Sequence, residues 1–579
     1  MVILAKKLPV KESSRDKRIS ALTIVVFLLA LIIVARLFSF QILQHDFYSL
    51  MASEKHEVYK KLFPQRGSIY VREDQELYPL VTNKDYYLVY AEPSKIKSPN
   101  TVIDKITPIL GLAEEEWKAL LPKLAKADDP YEPIKHKVTK QKVDELKALE
   151  LAGIGFLPET YRYYPEKGIG GQIFGFVGFD GETKIGQYGL EGYFNEQLSG
   201  QSGLLKSIKD AVGSLVAIGP RSIKPAQNGV DLVLTIDRKV QFTACQKLKE
   251  FYDWFKAKSA TVIIMEPKTG AIVAMCSFPD FDPENYNEVA NINDLNNPAI
   301  FTAYESGSVF KTITMAAALD KDKITPETTY EDPGEVKVGP YTIRNFDNQA
   351  HGVNTMTQVL EQSLNTGAMF AAEKIGRATF KEYVDDFGFG KPTGITLDKE
   401  MPGDVSSLAK KGDIYYLTGS YGQGITVTPI QLITAYAAVA NGGKLVKPYI
   451  VSETVKANGE IVKNQPVEIR QVIKPKTAAL LSGMLVSVTE KGYDKKAKVS
   501  GYYLAAKTGT AQISNGSGGY GSETTHTFIG FGPVSNPKFV MLLKLDKPQG
   551  VRFASDTLGP LFRQLAEFLL NYYQIPPDY

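Results

Sequence analysis

At 579 residues, with 44% hydrophobic and 23% charged side chains, the chain has ordinary globular composition and room for two or more domains. A net charge of +3 argues against a nucleic-acid binder working through a broad basic surface. Two cysteines, Cys245 and Cys276, exclude a disulfide framework and a four-cysteine metal site; each reads as a buried small apolar residue, with one bridge between them as the alternative.

Residues 1–18 carry Lys6, Lys7, Lys11, Arg15, Lys17 and Arg18 against Glu12 and Asp16. An uncharged run follows over residues 19–35, then Arg36 and an apolar stretch to Leu43. As a helix the run covers roughly 26 Å, and Arg36 can snorkel to the interface, so residues 19–43 are expected to cross a membrane. The basic flank places residues 1–18 in the cytoplasm and everything after the anchor outside. A cleaved signal peptide fits less well, because no small-residue cleavage site follows the run.

From 44 to about 225 the composition is mixed and polar. Residues 85–90 read as a strand, and 101–126 and 139–151 repeat apolar residues at helical spacing, with Pro108 and Pro122 as interruptions. No cluster of His, Cys and carboxylates occurs, so this is expected to be a non-catalytic module between membrane and enzyme. Beyond 226 the patterns sharpen. Residues 231–237 predict a strand, 238–256 a helix, and 261–265 with 271–277 a hairpin turning at Pro267 and Gly270. Thr428, Pro429 and Gln431 form a capping box that opens a helix ending near Gly442. Strands are expected over 501–510, 527–532 and 539–545, with a Gly/Ser-rich loop over 515–522 and a final helix over 556–572. The fold class is α+β, an antiparallel sheet flanked by helices.

Chemistry is carried by three short motifs in fixed order. Ser308 and Lys311 stand three apart at the first turn of a helix, so they share a face, and a neutral lysine beside a serine is a nucleophile with its base. Ordinary lysine is almost wholly charged at neutral pH, so Lys311 needs its pKa lowered by roughly 3 units, through burial and a second cation such as Lys507. Next comes Ser363-Leu364-Asn365, where Ser363 can relay a proton and Asn365 can hold a substrate amide. Last is Lys507-Thr508-Gly509-Thr510, a charge, two hydroxyls and a residue that lets a substrate backbone approach, a set suited to a peptide ending in carboxylate. Each motif has mimics, such as Ser98-Pro99-Asn100 and Lys268-Thr269-Gly270, but these both precede Ser308. A GxSxG elbow and HExxH are absent, His45, His56, His136, His351 and His526 are scattered, and the phosphate-loop-like stretch at 388–391 has Pro392 where Ser or Thr is needed. His526 is expected near the rim of the cleft, in a structural role.

The three motifs together resemble those of penicillin-binding proteins. The segments RGSIY (66–70), YRYYP (161–165), GLEGYFNEQLSG (189–200), LTID (234–237), PKTGAIVAM (267–275), YGQGITVTPIQL (421–432) and HTFIGFGP (526–533) extend the likeness, which is to the class B, monofunctional transpeptidases. Ser306 departs from the family, which usually has Pro there, and is expected to matter little. The resemblance implies a pedestal or dimerisation module over 44–225 and a serine transpeptidase domain over 226–579. It further implies that Ser308 attacks the D-Ala-D-Ala end of a peptidoglycan stem peptide, releases D-alanine and passes the acyl group to a neighbouring amine. Ser308, Lys311 and Ser363 are then catalytic; Asn365, Lys507, Thr508, Gly509 and Thr510 bind substrate; and the N–H groups of Ser308 and Thr510 form the oxyanion hole. β-Lactams are expected on the same serine, a SEDS-type membrane glycosyltransferase as partner, the cytoplasmic membrane as location and division as the setting, with no metal or cofactor. A hydrolase on the same fold, carboxypeptidase or β-lactamase, and a β-lactam sensor or scaffold are the competing readings.

Overall fold

The computed structural model describes residues 27, 28, 30–34, 36, 57–168, 170–180, 183–208, 222–514 and 519–579. The expected membrane anchor over 19–43 lies largely outside them; of its run, residues 27, 28, 30–34 and 36 are helical and exposed. Among the described residues no helix is long and apolar enough to cross a membrane. The described residues fall into two compact units, those within 1–64 and 201–227, and those within 65–200 and 228–579. Among its described residues the first contains an antiparallel sheet in which Gly203–Ile208 pairs with both Glu57–Leu62 and Ser222–Lys224.

In the second unit a seven-stranded sheet begins the N-terminal part. Its long strand Glu76–Ala91 pairs with Ile69–Glu73, Glu132–Val138 and Ile154–Tyr163. The sheet does not stop there: Asp231–Leu234 runs parallel to Ile69–Glu73, and Val451–Val455 and Ile461–Lys463 complete it. The helices Pro99–Leu110, Glu114–Leu124 and Lys140–Lys147 cover one end, burying Val102, Ile103, Ile106, Leu120, Val143 and Leu146. Pro108 and Pro122 lie inside the first two helices rather than between them. Each stands in the closing turn, where its missing N–H removes one bond and the helix ends two residues later.

The catalytic part is built on a five-stranded antiparallel sheet. In chain order its elements are α1 (Arg238–Trp254), β1 (Ser259–Met265), β2 (Ile272–Phe278), α2 (Lys311–Asp320), α3 (Met356–Glu361), α4 (Asn365–Asp386), α5 (Pro429–Ala440), α6 (Pro475–Lys491), β3 (Ala505–Ser514), β4 (Tyr520–Gly532), β5 (Phe539–Asp546) and α7 (Ala554–Tyr572). The strand order is β2-β1-β5-β4-β3. Side chains alternate between two cores. Ile263, Met265, Ile529, Val540 and Leu542 pack with α2 and α5, while Val262, Ile264, Phe528, Met541 and Leu543 pack with α1 and α7. Asp237 caps α1 by accepting from the N–H groups of Lys239 and Val240 at 3.0 and 3.1 Å. Thr428 and Gln431 close the capping box of α5.

Three expectations are corrected. Cys245 on α1 and Cys276 on β2 are buried, but they are joined in a disulfide, because the helix packs on the strand with the two Cα atoms 5.7 Å apart. Strand β3 spans Ala505–Ser514 rather than 501–510, since Gly501 takes φ 88° in a turn. Pairing of Ser514 with Tyr520 then starts β4 inside the expected loop.

Candidate active site

Ser308 sits in a single 3-10 turn, Gly307–Phe310, that runs into α2. All ten residues of α2 are buried, so this helix is the centre of the larger core rather than an amphipathic surface element. The turn is clamped from two sides: Gly307, at φ 62°, donates its N–H to Gly422 O at 3.2 Å, and Tyr436 on α5 donates its hydroxyl to Val309 O at 2.7 Å. Against the turn lies β3. A Cβ built on Gly509 would stand 2.6 Å from the carbonyl oxygen of Ser306, so only glycine lets the strand come this close to the serine.

Lys311 is fully buried at the start of α2. Its Nζ donates to Ser363 O at 2.5 Å and lies 3.4 Å from Ser363 Oγ. Ser363 presents both because it stands between α3 and α4 in the left-handed region, φ 56°. Among the described residues no hydrogen bond joins Ser308 and Lys311; the lysine is tied to the second motif instead, and the serine hydroxyl is left at a partly exposed position. Burial pushes the Lys311 amine well below its ordinary value, and the nearby Lys507 charge pushes it further.

Of the remaining motif residues, Lys507 lies near Lys311, Gly509 lies against Ser306 and Val309, and Asn365 opens α4 two residues after Ser363. The Asn365 N–H donates to Asn345 Oδ1 at 2.9 Å and its side-chain amide to Arg344 O at 2.9 Å. Asn345 is itself held by the buried Asp332 at 2.8 Å. Lys507, Thr508, Gly509 and Thr510 occupy the third to sixth positions of β3 rather than its end. Lys507 is buried, with its ammonium donating to Thr508 O at 3.2 Å. Thr510 Oγ1 accepts the Ala554 N–H at 3.1 Å, which leaves its hydroxyl hydrogen to donate elsewhere.

Outside the site, the mimics have ordinary duties: Lys268 donates to Asn536 Oδ1 at 2.8 Å on the β1–β2 turn, and Ser98 precedes a helix. His526 is not at a rim. It is buried between β4 and α7, with Nδ1 2.9 Å from Thr557 Oγ1 and Nε2 3.1 Å from Thr524 Oγ1. Three groups near the motifs carry no motif signal: Asp332 and Asn345, which hold the start of α4, and Asp494, which accepts the Thr508 N–H at 2.9 Å. Ser306 is also more constrained than its neighbours suggest, being buried with an Oγ that has no hydrogen-bond partner among the described residues. No group of three His, Cys, Asp or Glu side chains that could hold a metal occurs among the described residues.

Residues 260–567 match the penicillin binding protein transpeptidase domain, and residues 61–234 match the penicillin-binding protein dimerisation domain. Stage V sporulation protein D of Bacillus subtilis is 33% identical over 86% of this chain and 77% of its own length. A peptidoglycan D,D-transpeptidase FtsI homolog of Mesostigma viride is 28% identical over 97% and 96%. A probable peptidoglycan D,D-transpeptidase PbpC of Pseudomonas aeruginosa is 29% identical over 96% and 95%. Among solved structures, penicillin-binding protein 2X of Streptococcus thermophilus superposes with a TM-score of 0.75 at 22% identity, over 89% of this chain and 80% of its own.

Proposed function

Because the chain is a class B penicillin-binding protein, a peptidoglycan D,D-transpeptidase of cell-wall synthesis, we propose that Ser308 is its nucleophile and Lys311 the base. The carrying observation is the state of Lys311: buried, hydrogen-bonded among the described residues only to Ser363, and pushed toward the neutral amine by burial and by Lys507. Ser308 Oγ attacks the carbonyl of the penultimate D-alanine while its proton passes to Lys311. The oxyanion is met by the N–H groups of Ser308 and Thr510, donors at a helix start and on a strand. Collapse breaks the peptide bond, and the proton travels from Lys311 through Ser363 to the departing D-alanine amine. The amine of a neighbouring stem peptide then attacks the Ser308 ester, restoring the hydroxyl and leaving a crosslink. Lys507, Thr508 and Thr510 bind the terminal carboxylate, Gly509 admits the peptide backbone, and Asn365 holds a substrate amide.

The same geometry fits a β-lactam, whose strained amide and carboxylate stand in for the peptide bond and terminus. We further assign residues 19–43 as an anchor in the cytoplasmic membrane with residues 1–18 inside, residues 44–225 as pedestal and 226–579 as catalytic domain. A SEDS-type glycosyltransferase as partner and division as the setting complete the reading; transpeptidases named FtsI among the relatives support the latter. The test is D-alanine release and acyl exchange with the full chain, a synthetic donor ending in D-Ala-D-Ala and a D-amino acid acceptor. Exchange by wild type and none by Ser308→Ala is expected; release without exchange would make the protein a carboxypeptidase, and neither would remove the catalytic reading.

A further inference from the structure

Behind the Lys507–Thr510 strand lies a carboxylate that belongs to none of the three motifs. Asp494 falls in the stretch KGYDKKAK (491–498), whose lysines read as a solvated surface run. In the structure it is inside, 1% exposed, while Lys491, Lys495, Lys496 and Lys498 around it are exposed. Its Oδ2 accepts the Thr508 N–H at 2.9 Å, and its Oδ1 is buried with no hydrogen-bond partner among the described residues. The neighbouring Lys507 is equally buried, and among the described residues its ammonium donates only to Thr508 O. An ammonium stripped of water with one carbonyl for company keeps its proton only if negative charge stands nearby. No direct ion pair joins Asp494 to Lys507 among the described residues, so the carboxylate acts through the field of a water-poor interior, where charges are felt over several ångströms.

We propose that Asp494 is the positioning carboxylate of the substrate-binding lysine: it keeps Lys507 cationic, and so sustains the grip on a ligand carboxylate. This rests on the roles given to Lys507 and Lys311 above. The electrostatics run the same way: burial lowers Lys507 and Asp494 opposes that, while burial raises Asp494 and Lys507 opposes that. The groups whose charge or dipole reaches the pair are Lys311 on α2, beside Lys507, and Tyr436 on α5, beside Asp494, its hydroxyl bonded to Val309 O and Thr312. Of the other charged groups on the packed elements, Glu490 is paired with Lys498, Glu523 with Lys547, Asp556 with Lys496 and Glu361 with the Ser487 hydroxyl, while His526 is held by Thr524 and Thr557 and Lys491 is exposed.

The test is the second-order rate of acylation of the full chain by benzylpenicillin as a function of pH, for wild type, Asp494→Asn and Asp494→Glu. Asparagine keeps an oxygen for the Thr508 N–H and removes only the charge. The alkaline limb, where Lys507 loses its proton, is expected to move down by about one pH unit in Asp494→Asn, roughly a tenfold loss of rate along it. The acid limb, set by Lys311, stays, and Asp494→Glu keeps the wild-type profile. A limb that does not move, or a rate lowered equally at every pH, overturns the proposal. Asp494→Ser, another neutral acceptor, stands in if the asparagine variant does not fold. Failure of both neutral variants with a folded Asp494→Glu would assign the carboxylate to folding and also overturn it. A wild type that forms no adduct at any pH would instead overturn the roles on which the proposal rests.

Discussion

Lys311 has the Ser363 carbonyl and hydroxyl as its hydrogen-bond acceptors and, among the described residues, no carboxylate. Its folded pKa lies well below the ordinary lysine value, so the amine is neutral above that lowered pKa and protonated below it. Acylation by a penicillin is therefore expected to fall as pH drops through the lowered value. Lys311→Arg, which cannot give up a proton, is expected to cost at least about 10³-fold at neutral pH; a normal rate would remove the base assignment. Gly509 offers a second check. A methyl there would meet the Ser306 carbonyl at 2.6 Å and push β3 away from the serine. Gly509→Ala is expected to slow acylation about 10²-fold with a melting temperature within about 5 °C of wild type, and an unchanged rate would contradict the close-approach account.

At the scale of elements, the joint between β4 and α7 depends on a neutral histidine. Burial pushes His526 down to about 4, against an unfolded value near 6.5. Between those values the unfolded chain binds the extra proton, so stability falls as pH drops from 6.5 to 4, by about 3 kcal/mol in total. Denaturant unfolding of His526→Gln against wild type checks this: the difference between them should shrink as pH falls across that window, and a constant difference would refute it. The disulfide between α1 and β2 closes a loop with a sequence separation of 31, and replacing both Cys245 and Cys276 by alanine is expected to cost about 4 kcal/mol, read by chemical denaturation. Legibility in the sequence divides along physical lines. The capping box at Thr428, the hairpin of β1 and β2 and the final helix are local, so their residues state them. The Cys245–Cys276 pairing, the burial of His526 and the place of Asp494 are decided by which surfaces pack together, and nothing in their neighbours along the chain reports that. The three motifs are intermediate: their residues and order are visible, but the tie of Lys311 to Ser363 rather than Ser308 needed the structure.

Across the whole second unit, the N-terminal part and the catalytic part share one sheet through the parallel pairing of Ile69–Glu73 with Asp231–Leu234. Nearby, Glu191 is fully buried between two arginines, accepting from Arg66 Nε and Arg162 Nε at 2.7 Å each. Arg66 comes from the start of the unit and Arg162 from the long β-ladder, so one carboxylate fastens segments far apart in sequence. Glu191→Gln leaves two poorly compensated guanidinium groups and is expected to cost about 3–5 kcal/mol of unfolding free energy, read by chemical denaturation. A loss below about 1 kcal/mol would show that the cluster is not what holds these segments.

The central claim, that Ser308 is the acylated nucleophile, is tested most directly by intact mass of the full chain after incubation with a penicillin, wild type beside Ser308→Ala. A single adduct on wild type that persists for hours, with none on the variant, is the predicted result. An adduct of equal occupancy on the variant would contradict it, because the acyl group would then sit on another side chain.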